Sequence, residues 1–174
     1  MGSVVTLEEL RRLRRDWSSQ GKRVVLTNGC FDLLHVGHVR YLQQAKALGD
    51  VLIVGINDDA SVSHLKGPRR PIMGQNDRAE IVAALEGVDY VVVFMEITAT
   101  SLVEALQPDV YAKGGDYGHG GQELPEAETV LGYGGRVELL PLVEGRSTTD
   151  LVRQVLERYS SGDQAQQGEP TGHQ

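Results

Sequence analysis

The sequence predicts an α/β protein built on a doubly wound parallel sheet of about five strands. Three observations predict it. Val24-Val25-Leu26-Thr27, Val51 to Ile56 and Val88 to Phe94 are nearly unbroken apolar, β-branched runs, as strands covered on both faces require. Apolar stripes of helical period lie between the runs, and this alternation is the mark of parallel βαβ units. Glycine-rich or polar segments follow the first strand and the run Asp109-Val110-Tyr111-Ala112, where the ligand crevice of such a sheet opens.

The elements follow in order. Thr6-Leu7-Glu8-Glu9 forms a capping box, and Leu7, Leu10, Leu13 and Trp17 recur at helical spacing until Gly21. The basic run Arg11, Arg12, Arg14 and Arg15 reads as a solvated face of that leading helix. Strand Val24 to Asn28 is followed by the loop Gly29 to His38 and by a helical stripe, Val39, Leu42, Ala45 and Leu48, that ends at Gly49. After strand Val51 to Ile56, Asn57 to Gln75 reads as a long connection. It gathers Lys66, Arg69 and Arg70 around Gly67, Pro68 and Pro71, and a loop of that length is functional or disordered, the clustered charge favouring function.

Asp77-Arg78-Ala79-Glu80 opens a helix with Ile81, Val82 and Leu85 inward, and Val88 to Phe94 is the third strand. Thr100 to Leu106 is a short helix stopped by Gln107-Pro108, because the residue before proline avoids helical geometry. The fourth strand, Asp109 to Ala112, leads into Lys113-Gly114-Gly115-Asp116-Tyr117. Pro125 to Leu131 is a helix and Arg136 to Pro141 the fifth strand. Ser147-Thr148-Thr149-Asp150 caps the last helix, whose stripe is Leu151, Val152, Val155, Leu156 and Tyr159.

The 174 residues make one domain, expected over 1–160 with residues 1–20 as a leading helix and a polar, Gln- and Gly-rich segment at 161–174 expected to be disordered. A net charge of −7 argues against a broad nucleic-acid footprint, which needs a gathered basic face. Cys30 is the single cysteine, so no internal disulfide forms; a small side chain lining the loop fits it better than a nucleophile, since no activating motif surrounds it. No leader and no apolar stretch of about 18 residues is present, so a cytoplasmic protein with no membrane partner is expected.

Gly29 to His38, GCFDLLHVGH, carries the chemistry. A helix start leaves backbone N–H groups unpaired and partially positive, and anions settle there. His35 and His38 stand three apart at that start, so both imidazoles share one side of the first turn. Gly37 between them lets a ligand approach the backbone. Two histidines at such a place can equally cap and pack the helix, and the four residues alone leave both readings open. Ser147-Thr148-Thr149 is similarly divided between a good cap and a phosphate cradle.

The order His35-Val36-Gly37-His38 after a strand resembles the H-x-G-H signature of the nucleotidyltransferase superfamily, which includes class I aminoacyl-tRNA synthetases and cytidylyltransferases. Six ordered blocks narrow the resemblance to the adenylyltransferase domains of bacterial ADP-heptose synthases: TNGCFDLLHVGH at Thr27 to His38, QAKALGD at Gln44 to Asp50, NDDAS at Asn57 to Ser61, LKG at Leu65 to Gly67, AKGGDY at Ala112 to Tyr117 and STTDLV at Ser147 to Val152. It covers about Val24 to Arg158. The resemblance implies a Rossmann-like fold of nucleotidyltransferase type and transfer of AMP from ATP to a heptose 1-phosphate. It implies catalytic roles for His35, His38 and Lys46. Nucleotide contacts are expected from Asn28, Gly29, Cys30, Phe31, Asp32, Gly37, Asn57, Arg78, Gly114, Ser147, Thr148 and Thr149.

Charge and block position make Lys66, Arg69, Arg78, Lys113 and Asp116 candidates for the sugar phosphate or pyrophosphate, although Lys113 and Asp116 could also touch nucleotide. Asp32 is expected to order its loop rather than bind metal. No metal ligand is expected from the chain; Mg²⁺ comes chiefly through substrate phosphates. A homodimer is implied by the resemblance alone. Glycerol 3-phosphate cytidylyltransferases differ by an isoleucine where this chain has Arg146, an arginine where it has Leu142, and Gly-Asp-Asp-Trp in place of Gly-Gly-Asp-Tyr. Two rivals stand beside the adenylyltransferase: a cytidylyltransferase for a polyol or amino-alcohol phosphate, and a catalytically silent nucleotide-binding module. A tRNA synthetase is excluded on size.

Overall fold

The computed structural model describes residues 1–115, 124–141 and 147–160. Asp116, Arg146 and the segment from 161 onward, singled out in the sequence, lie outside them. Within the described residues a parallel sheet of six strands carries helices on both faces. Its strands are β1 (Ser3–Val4), β2 (Val24–Gly29), β3 (Val51–Asn57), β4 (Tyr90–Phe94), β5 (Val110–Gly114) and β6 (Arg136–Leu140), in the order β1-β4-β3-β2-β5-β6. The helices are α1 (Leu7–Ser19), α2 (Val36–Lys46), α3 (Asp59–Lys66), α4 (Gln75–Ala83), α5 (Thr100–Leu106), α6 (Ala127–Gly132) and α7 (Thr148–Ser160).

Alternation along each strand sorts the core into two layers, since successive side chains of a strand point to opposite faces. Val25, Leu52, Val54 and Val91 pack under α2 and α4 against Leu42, Ala45 and Val82. Leu26, Ile53, Val92 and Tyr111 face the other way, against Leu10 and Trp17 of α1, Leu102 and Leu106 of α5 and Val130 of α6. The long apolar runs of β2 and β3 are buried from end to end, apart from the half-buried Gly29, as the sequence predicts for central parallel strands.

Four differences from the sequence reading have physical causes. The sixth strand, β1, is a two-residue edge piece paired with Tyr90 and Val91, too short to show a period. Asn57 to Gln75 is no bare loop: Asp58 accepts a hydrogen bond from the Ser61 N–H at 2.9 Å and starts α3. The predicted inward Ile81 is exposed, and the apolar stripe of α7 does not enter the core, with Val155, Leu156 and Tyr159 at 55%, 60% and 79% exposure. A periodic stripe establishes which side of a helix is apolar, and packing alone decides what that side meets.

The architecture places the crevice. The chain leaves β2 through α2 toward β3, while β5 lies on β2's other side, so strand order reverses beside β2. Carboxyl ends at such a reversal splay their loops apart and hold ligands.

Candidate active site

At the carboxyl end of β2 the chain turns sharply. Phe31 takes φ 48°, in the left-handed region, and its ring lies under Gly29, where a Cβ would come within 3.0 Å of Phe31 Cε2. The same ring contacts that of His38, centroid to centroid 5.4 Å. Asp32 is buried and clamps the loop before α4: its carboxylate accepts from Ile72 N at 2.8 Å, from Met73 N at 3.0 Å and from the Arg70 guanidinium. Asp32 thus orders its surroundings, and both oxygens are engaged.

His35 is the N-cap of α2, with Nδ1 accepting from the Gly37 N–H at 3.1 Å, and His38 Nδ1 accepts from the His35 N–H at 3.4 Å. The rings stack 3.9 Å apart. An Nδ1 that accepts leaves the ring proton on Nε2, so both imidazoles are Nε2–H donors. The capping and anion-binding readings of this pair are therefore compatible: the cap uses Nδ1 of each ring and leaves the ring proton on Nε2.

Burial, with the neighbouring His35 ring, pushes the His38 pKa down to about 4. His38 is neutral near pH 7 and stays a donor without itself bringing charge. The unfolded chain takes up this proton near 6.5 and the folded one near 4, so stability is fully present above about 6.5 and is lost as pH falls toward 4. The expected loss is about 1–2 kcal/mol, since the ring's partial exposure screens part of the full shift. Melting temperatures between pH 4 and 7 check it, and His38→Asn should flatten that dependence.

Across the strand reversal lies a second polar group, on the face opposite α2. Asn28 Oδ1 accepts from Tyr111 Oη at 2.6 Å and from Lys113 Nζ at 2.7 Å. Burial pushes the Lys113 ammonium below its ordinary value, while nearby Glu126 favours its charge. Asn57 is buried at the end of β3 and donates to Glu96 O at 3.0 Å. Thr148 Oγ1 donates to Leu33 O at 3.2 Å, bringing the start of α7 to the β2 loop; Ser147 caps that helix by accepting from Asp150 N at 3.1 Å, and Thr149 is exposed. Gly37 sits between the histidines and Gly114 ends β5. Burial raises the Cys30 thiol above its usual range, which disfavours a thiolate nucleophile. Lys66 ends α3 close enough to act on Cys30, and both it and Arg69 are exposed.

Two expected site residues are placed elsewhere. Lys46 lies at the far end of α2, about 12 Å along the axis from His38 at 1.5 Å per residue. Its Nζ donates to Asp50 O and Asp89 Oδ2, each at 2.6 Å, and Asp89 also accepts from Leu52 N at 2.7 Å. It staples the amino ends of β3 and β4, opposite the crevice. Lys46→Met is expected to lower stability by about 1–2 kcal/mol, the worth of a charge-assisted hydrogen bond, while kcat stays unchanged. A denaturant titration beside a turnover assay checks both halves.

Arg78 is the second. It is 1% exposed and its donors are spent within the protein: it donates to Cys30 O, to Met73 O at 3.0 Å, to Asn57 O at 2.9 Å and to Asp59 Oδ1 at 2.7 Å. It ties together the loops after β2 and β3 and the segment before α4. Sequence reasoning also missed Tyr41, whose hydroxyl lies 2.5 Å from Thr27 Oγ1, and Tyr111 and Glu126. Nothing in their local spacing marks them, because their partners lie 14, 27 and 83 positions away.

Residues 26–154 match the family model described as cytidylyltransferase-like. The bifunctional protein HldE of Pelobacter propionicus is 57% identical over 145 residues, covering 82% of this chain and 29% of that protein. HldE of Geobacter sulfurreducens is 57% identical over 156 residues, covering 90% of this chain and 31% of its own length. The chain thus spans about three tenths of the length of these curated relatives. Among solved structures, the lipopolysaccharide core biosynthesis protein from Thermoplasma volcanium GSS1 superposes with a TM-score of 0.58 at 29% identity, over 72% of this chain and 100% of that one. Six parallel strands, a histidine-capped helix at their reversal and a family match over most of the chain agree: this protein belongs to the cytidylyltransferase-like nucleotidyltransferase family.

Proposed function

We propose that the chain transfers AMP from ATP to a heptose 1-phosphate, releasing pyrophosphate and giving ADP-heptose. The observation that carries this is the stacked His35–His38 pair at the positive end of α2, with both Nδ1 atoms accepting from backbone N–H groups so that the ring protons sit on Nε2. The identity to HldE proteins and the six blocks support adenine and heptose over other substrates.

A phosphate oxygen of the sugar attacks the α-phosphorus of ATP. The new P–O bond forms as the bond to the β-phosphate oxygen breaks, and that oxygen departs with pyrophosphate. Such chemistry needs alignment and stabilisation of growing negative charge more than a covalent intermediate. His35 and His38 supply donors, the α2 terminus supplies partial positive charge, and Lys66 and Arg69 are exposed cations for the pyrophosphate or sugar phosphate. In this proposal Lys113 and Gly114 at the end of β5 and Ser147 and Thr148 at the start of α7 serve nucleotide and sugar.

Among the described residues no group of three or more His, Cys, Asp or Glu side chains could hold a metal, and Asp32 is fully engaged. Mg²⁺ belongs to this proposal as the counter-ion of the triphosphate, which it accompanies with most of its waters. No helix among the described residues is long and apolar enough to cross a membrane. A cytoplasmic location and a homodimer are part of the proposal, and sedimentation tests the latter.

The test is pyrophosphate release with ATP or CTP against both anomers of heptose 1-phosphate and glycerol 3-phosphate. Release from ATP with one heptose anomer is expected. CTP turnover with glycerol 3-phosphate would install the cytidylyltransferase instead, and inactivity with every heptose anomer ends the proposal.

A further inference from the structure

Among the described residues, Glu126 Oε2 is the one buried side-chain nitrogen or oxygen that has no hydrogen-bond partner. The residue is 2% exposed, and its other oxygen, Oε1, accepts from the Ala99 N–H at 2.7 Å. Ala99 immediately precedes α5, just beyond the carboxyl end of β4. The same carboxylate acts on Lys113 at the carboxyl end of β5, which in turn donates to Asn28 at the end of β2. Glu126 therefore faces the crevice end of the sheet, on the side away from the histidine pair.

Folded proteins satisfy nearly all buried polar atoms, because a carboxylate oxygen withdrawn from water and given no donor is costly. One oxygen of Glu126 is fixed by the backbone and the other is held ready. A carboxylate oxygen accepts hydrogen bonds and repels phosphate, so its partner is a donor on an uncharged part of the substrate. The histidines and the α2 terminus draw phosphates to one side of the strand reversal, which leaves this side for hydroxyl-bearing groups.

We propose that Glu126 determines substrate specificity: its Oε2 accepts a hydrogen bond from a sugar hydroxyl of the bound substrate. This rests on the adenylyltransferase reading, in which the hydroxyl belongs to the ribose of ATP or to the heptose. Affinity is built into the free protein as an unsatisfied acceptor, and binding relieves it.

The test is Glu126→Gln in the full chain, an isostere that keeps the Ala99 bond through its carbonyl and removes the charge from the other position. KM is measured for ATP at saturating heptose 1-phosphate and for heptose 1-phosphate at saturating ATP, beside the melting temperature of the free protein. One KM is expected to rise about tenfold, the loss of a charge-assisted bond, with kcat little changed and the melting temperature equal or higher. A rise for ATP assigns the ribose, and 2′-deoxy- or 3′-deoxy-ATP should then be penalised by the wild type and no further by the variant. A rise for the sugar phosphate assigns the heptose. Unchanged KM values with an active wild type overturn this inference alone, as does a variant that is insoluble or melts lower than the wild type, because the charge then serves the fold. A wild type that releases no pyrophosphate overturns the adenylyltransferase reading and this inference with it.

Discussion

His38→Asn is expected to lower kcat by about a hundred- to a thousandfold in a protein that still folds, the usual consequence of removing one preorganised donor from a developing negative charge. Asparagine separates the two functions of the histidine. Its side-chain oxygen replaces Nδ1 as acceptor for the His35 N–H, so the cap bond of 3.4 Å has a substitute. Its short amide does not reach the position of Nε2–H, so the donor is lost. Stacking on His35 and contact with Phe31 are also reduced, which makes the melting temperature a necessary companion measurement. Under the proposed reaction the KM for ATP should change less than kcat, because charge on the transferring phosphate grows toward the transition state. A variant with wild-type kcat removes His38 from the chemistry. A wild type without turnover on any substrate pair leaves the silent binding module as the surviving reading.

Arg78→Met should cost about 3–5 kcal/mol of stability, because several acceptors lose their donor at once and each buried one left unsatisfied costs about 1–3 kcal/mol. Methionine fills much of the volume but leaves Cys30 O, Met73 O, Asn57 O and Asp59 Oδ1 without their donor. Domains are stable by only about 5–15 kcal/mol, so such a loss is a large share of the total. Arg78→Lys should rescue little, because an ammonium on a flexible stem cannot reproduce four bonds from one planar fork. The loops carrying Cys30 and Asn57 flank the crevice, so kcat and KM should worsen together below the melting transition. The midpoint of a denaturant titration and steady-state kinetics on the same preparation check these outcomes. Near-normal stability with a selective loss of nucleotide affinity would return Arg78 to the ligand-contacting set.

Arg78 and Lys46 show where local reading fails. Lys46 stands inside a recognisable block and Arg78 at a helix start, and neither position says to which neighbour the cation is bound. Lys46 is met by Asp89, 43 positions later, and Arg78 by carbonyls of two strand ends. Glu126 is the opposite case. It carries no motif, yet burial with one oxygen unpaired makes it conspicuous once the chain is folded. The Asp32 expectation, by contrast, agrees with the clamp on Ile72 and Met73.

The α/β class, the parallel strands and the histidine pair at a helix start are legible in the chain itself, because each depends on contacts within a few residues: apolar runs, helical stripes and a cap. Strand order, the extra edge strand, the outward stripe of α7 and the partners of Lys46 and Arg78 were settled only by tertiary packing. Those depend on which distant backbone carbonyl or carboxylate arrives beside a side chain, and spacing along one chain does not encode that.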